Sequence, residues 1–100
     1  MSSSHHSVRV PAELRALMPR FLANRRADLD DLRSAAARAD FATARRIGHM
    51  LKGAGGGYGL AELTRLGDEM ERRADARDAE VWTVVGELAD YLDGLEVIYE

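Results

Sequence analysis

VWTVVGELADYLDGLEVIY, residues 81–99, carries the clearest periodicity in the chain. Val81, Val85, Leu88, Leu92, Leu95 and Tyr99 follow one another at alternating steps of four and three. In a helix of 3.6 residues per turn that spacing puts all six on one side. Val84, Tyr91 and Ile98 widen the stripe. A seam of this width belongs to a helical bundle, not to an isolated helix. The spacing predicts one continuous helix to Tyr99, with Asp78 as its candidate N-cap.

Working back toward the start, Leu60, Leu63, Leu66, Gly67, Met70 and Ala74 form the inward face of a helix from about Leu60 to Arg73. Gly67 inside that stripe points to a close helix contact. Before it, Phe41, Ala44, Ile47, Leu51 and Ala54 share a face behind Asp40, a candidate N-cap. A cluster of Gly53, Gly55, Gly56, Gly57 and Gly59 closes that helix. Leu14, Leu17, Met18, Phe21 and Leu22 begin a further stripe, which Leu29, Leu32 and Ala36 continue. Pro11 suits a first helical turn, and Pro19 is expected to break or kink the run. Short connections make consecutive helices antiparallel neighbours. The expected fold is therefore all-α, an antiparallel up-down four-helix bundle with a short extra N-terminal helix, over residues 11–100. Residues 1–10, Ser- and His-rich at the outset, are expected to form a disordered tail, either natural or left from an added tag.

Composition narrows the function. One hundred residues make one domain, expected to stand alone. Fourteen basic and seventeen acidic residues leave a formal charge of −3, which argues against a nucleic-acid partner. Thirteen of the basic residues are arginine, and Lys52 is the single lysine. The chain has no cysteine, so disulfides, thiol catalysis and thiolate metal sites are excluded, and a reducing, cytoplasmic setting is expected. No apolar run reaches the roughly 18–20 residues that cross a bilayer, so no membrane partner is expected. Met1 to Ser7 lacks the apolar core of a signal peptide.

His49 breaks the bundle pattern. On a helical projection it falls opposite Leu51 and faces solvent from mid-helix. Arg45 and Arg46 lie one turn before it, Lys52 and Gly53 one turn after, and Gly56 continues the strip. No acid from the same helix interrupts these basic groups, and helical glycines cost about 1 kcal/mol each relative to Ala. A solvated face has no need of either feature, and such broken local rules mark function. A neutral imidazole is a competent nucleophile toward an activated phosphoryl group. Lys52 supplies a compact, mobile positive charge for the phosphoryl oxygens, and bare glycines let another protein's active site approach. The acids Asp30, Asp31, Glu69 and Glu71 read as solvated faces, and Trp82 as a core or bundle-end residue.

The run His49-Met50-Leu51-Lys52-Gly53, followed by Gly59, resembles the phosphoacceptor motif of histidine-containing phosphotransfer (HPt) domains. Asp40 to Gly48 and Tyr58-Gly59-Leu60 resemble the bacterial branch of that family, and the likeness spans about residues 11–99. The resemblance implies that His49 accepts the phosphoryl group on Nε2. It also implies that Lys52 stabilises the group and that Gly53 is left bare for docking, with Gly56 one turn on. Arg45, Arg46 and Met50 are further docking candidates. The implied partners are a response-regulator receiver domain, which brings its own Mg²⁺, and a hybrid sensor histidine kinase. The domain itself is expected to be a monomeric phosphocarrier without cofactor, metal or ATP site.

Three rivals are weighed against this reading. The glycine cluster does not fit a phosphate-binding loop, because Lys52 precedes the glycines and no strand leads into them. No carboxylate of the same helix lies one turn from His49, which argues against a bundle metal site. The remaining alternative is a helical interaction module in which His49 is incidental.

Overall fold

The apolar stripes close into four helices around a single core. The computed structural model describes residues 5–100. In chain order these hold strand β1 (His6–Val10), a single 3₁₀ turn (Ala12–Leu14), α1 (Met18–Ala37), α2 (Phe41–Gly57), α3 (Ala61–Asp75), α4 (Val81–Asp93) and strand β2 (Leu95–Tyr99). α2 packs most extensively on α3, α3 packs on α4, and α1 touches both α2 and α4, so the four helices enclose one another in a ring. Leu32, Ile47, Leu51, Leu66, Met70 and Leu88 lie at its centre, fully buried.

The three helix-to-helix reversals use one device. At the end of α2 the Leu60 N–H donates to the Gly55 carbonyl (2.9 Å), and Gly59 turns the chain with φ +70°. This six-to-one bond is a Schellman cap, for which glycine is the unstrained residue. The same bond runs from Asp40 to Ala35 after α1 (2.9 Å) and from Asp78 to Arg73 after α3 (2.8 Å). There Ala39 (φ 52°) and Arg77 (φ 55°) take the left-handed position instead.

The two ends of the chain depart from expectation. α4 stops at Asp93, and Leu95–Tyr99 pairs in parallel with His6–Val10, in the register His6 to Leu95 through Val10 to Tyr99. The step of four from Leu95 to Tyr99 suits a helix and a strand equally, since four is a multiple of two. The deciding pattern is the alternation: Leu95, Val97 and Tyr99 are half-buried while Glu96 and Ile98 face out. Within the stretch expected to be a tail, His6 to Val10 forms a strand and Val10 is fully buried. The expected extra helix is reduced to the 3₁₀ turn at Ala12–Leu14. Pro19 does not kink a longer helix; it sits in the first turn of α1, where a missing N–H costs nothing. Inside α1 the buried stripe passes through Ala35, with Ala36 only half-buried, and Leu17 is exposed. Among the described residues no helix is long and apolar enough to cross a membrane.

Candidate functional site

α2 begins at a side-chain cap. The Thr43 N–H donates to Asp40 Oδ1 (3.1 Å) and the Thr43 hydroxyl to Oδ2 (2.7 Å), so Asp40 is the expected N-cap. Those bonds hold the Asp40 carboxyl below the ordinary carboxylate range. From this anchored start, two turns of helix carry the chain to His49, whose side chain is 74% exposed.

The neighbour of His49 is set by a backbone contact. Gly48 on α2 and Gly67 on α3 are both buried where the two helices cross. A Cβ added to Gly67 would meet the Lys52 backbone nitrogen at 2.5 Å and the Gly48 carbonyl oxygen at 2.7 Å. One added to Gly48 would meet the Glu71 nitrogen at 2.8 Å. Helices this close bring the α3 residues one and four places beyond Gly67, Asp68 and Glu71, to the exposed edge of α2.

Glu71 Oε2 accepts a hydrogen bond from His49 Nδ1 (3.0 Å). An ionised carboxylate can only accept, so the Nδ1 position carries the proton. In the neutral ring the lone pair is then on Nε2. The other Glu71 oxygen, Oε1, lies 3.6 Å from Lys52 Nζ. Lys52 Nζ donates to Asp68 Oδ1 (3.2 Å), and Arg72 Nε donates to Asp68 Oδ2 (3.1 Å). The bond to Asp68 and the charges of Asp68 and Glu71 raise the pKa of Lys52. Bonds from Arg72 and Lys52 lower that of Asp68. Together Arg45, Lys52, Asp68, Glu71, Arg72 and Asp75 line a depression of about 330 Å³ along the α2–α3 groove.

The positive strip read along α2 is therefore corrected. α3 answers its basic groups with acids: Arg45 with Asp75 (3.1 Å), Lys52 with Asp68, and His49 with Glu71. Glu71 is not a solvated face residue but the partner of the imidazole. Its signal in the sequence was its place one turn beyond Gly67, on the side that a close contact turns toward α2.

The other expected site residues separate around the helix. Arg45 reaches toward α3, whereas Arg46 lies within electrostatic range of Asp28 on α1. Met50 is 39% exposed beside His49. Gly53 and Gly56 are exposed, and an added Cβ would meet nothing within 4 Å at either. Gly55, between them, is a packing residue; its missing side chain makes room for Thr64 of α3. Among the described residues no group of three or more His, Asp or Glu converges to hold a metal ion.

The arrangement offers one exposed imidazole, oriented through one nitrogen and free at the other, beside an ammonium and an unobstructed surface. Comparison with family models matches residues 16–97 to the Hpt domain. No curated protein and no solved structure matches the chain.

Proposed function

The chain belongs to the Hpt domain family, whose members transfer phosphoryl groups through histidine in phosphorelays, and we propose that His49 is the residue that carries the group here. The observation that carries this reading is the Nδ1 bond to Glu71, which leaves Nε2 as the exposed nucleophile. Nε2 attacks the phosphorus of a receiver aspartyl phosphate. The N–P bond forms as the O–P bond breaks, and the electron pair returns to the receiver's carboxylate. Nδ1 keeps its proton against Glu71, which offsets the charge gained by the ring. The reverse step passes the group to another receiver.

The receiver contributes the Mg²⁺ and the catalytic pocket; this domain contributes the nucleophile, Lys52 and a surface left open at Gly53 and Gly56. Met50 and the two arginines, Arg45 and Arg46, rim that surface. A hybrid sensor kinase stands upstream. In this reading the domain is a cytoplasmic monomer with no cofactor of its own, and its helices run up and down alternately. Connections as short as the three residues between α1 and α2 support that order.

The test is transfer itself. Incubated with a phosphorylated receiver domain and Mg²⁺, the protein is expected to acquire acid-labile, alkali-stable phosphate, and His49→Gln is expected to fold and acquire none. Label that persists in His49→Gln overturns the assignment. So does a failure to accept phosphate from every receiver domain of the source organism, which leaves the interaction module as the reading.

A further inference from the structure

The cation beside His49 is already committed. Lys52 Nζ sits 3.2 Å from Asp68 Oδ1 and 3.6 Å from Glu71 Oε1. In formal charge, Lys52 and Arg72 balance Asp68 and Glu71. A dianionic phosphoryl group arriving on Nε2 thus meets a cluster with no net positive charge to offer. The ammonium has three N–H donors, and each one turned to that group is drawn from the acids that now hold it.

How readily it leaves depends on what Asp68 keeps. Arg72 Nε holds the other oxygen, Asp68 Oδ2, at 3.1 Å, one turn along α3. With Arg72 in place, departure of Lys52 does not strand the carboxylate. Lys52 and Asp68 are nearly half exposed and Arg72 more so, so the exchange takes place in high dielectric, where no single ion pair dominates.

We propose that Asp68 is a positioning residue that holds Lys52 back from the phosphoryl group, and that Arg72 opposes it by competing for the same carboxylate. Their balance sets how favourably His49 holds phosphate relative to a receiver aspartate. The inference rests on His49 being the phosphoacceptor.

Phosphoramidate supplies the group for the test. The P–N bond of the donor breaks, ammonia leaves, and the Nε2–P bond forms while Nδ1 keeps its proton. A phosphorylated receiver domain serves as a parallel donor. The loaded protein is then mixed with a receiver and Mg²⁺, and the ratio of phosphorylated to free His49 is read at equilibrium. Docking affinity does not enter that ratio, because it speeds both directions alike.

Asp68→Asn is expected to raise the ratio about threefold, and Arg72→Gln to lower it about threefold, the scale of an exposed ion pair. Direct action of the two charges on the phosphoryl group would give the same signs, so the deciding measurement is made in a Lys52→Ala background. There both effects are expected to disappear. If either persists, the residues act on the phosphoryl group without Lys52 and the proposal is overturned. Equal ratios in all three Lys52-containing proteins overturn it as well. A protein that takes phosphate from neither donor overturns the assignment of His49, a different failure from the loss of these differences.

Discussion

Where α2 crosses α3, the two backbones touch at Gly48 and Gly67. Where α4 meets the core, Val81, Val84, Val85, Leu88, Tyr91 and Leu92 fill the space with side chains. The first contact buries little apolar surface at the crossing but fixes the separation of two helices. The second buries much and fixes less, since side chains can shift rotamer to absorb a change. The exposed pairs His49–Glu71 and Lys52–Asp68 span the glycine crossing, not the apolar side. A surface pair contributes little stability and cannot hold its own geometry. It depends on a rigid contact beneath it, which backbone against backbone provides.

The difference can be broken from either side. Leu88→Ala on α4 removes a fully buried side chain and is expected to cost about 3 kcal/mol, the largest stability loss among these changes. The denaturant midpoint should fall, while the phosphate accepted per folded molecule stays that of the parent. If transfer falls with stability, the two regions are one unit and the contrast fails. Gly67→Ala works on the other side. The three atoms nearest its Cβ would all be backbone, of Gly48, Leu51 and Lys52, so α3 must move away, at a cost of about 2 kcal/mol. Here the folded fraction itself should be impaired: the His49 Nδ1 proton, followed by imidazole nitrogen NMR, loses its fixed partner, and transfer slows. Gly86→Ala is the control. Gly86 is an exposed glycine of α4 with open space around it, so alanine should stabilise by about 1 kcal/mol and leave transfer unchanged.

The same contrast governs what could be read from the chain. α2 was legible to its cap because Asp40 and the apolar step of three and four are local signals. Solvent exposure of His49 follows from the same wheel, and Gly67 announced a close contact by interrupting an apolar stripe. The partner of His49 was not legible by the same means. Glu71 stands 22 residues away, and it reaches the imidazole only through the rotation of α3 that the crossing at Gly48 imposes. On that helix Glu69, which pairs with Arg65 and Arg73, is the same residue type, and only the place of Glu71 one turn beyond Gly67 sets the two apart. The terminal strands were missed for another reason. Each needs the other, since a two-stranded pair between residues 6–10 and 95–99 has no local nucleus. A four-residue step could not tell helix from strand at Leu95.

Tyr91 offers the smallest and sharpest test of the apolar side. Its side chain is 2% exposed, and its hydroxyl has no hydrogen-bond partner among the described residues. Burial pushes the phenol pKa up from 10.0 to about 12. Because the folded value lies above the unfolded one, both states keep the proton below about pH 10 and stability there is undiminished. Between about 10 and about 12 the unfolded chain releases its proton first, so stability falls as pH rises. Tyr91→Phe removes a hydroxyl that was buried without a bond, so it should be at least as stable as the parent at neutral pH. In the alkaline window it should be the more stable of the two, measured by denaturant unfolding at pH 9 and pH 11. A loss of 1 kcal/mol or more at neutral pH would mean that the hydroxyl is bonded after all. The α4 side of the core would then depend on polar geometry as the glycine crossing does.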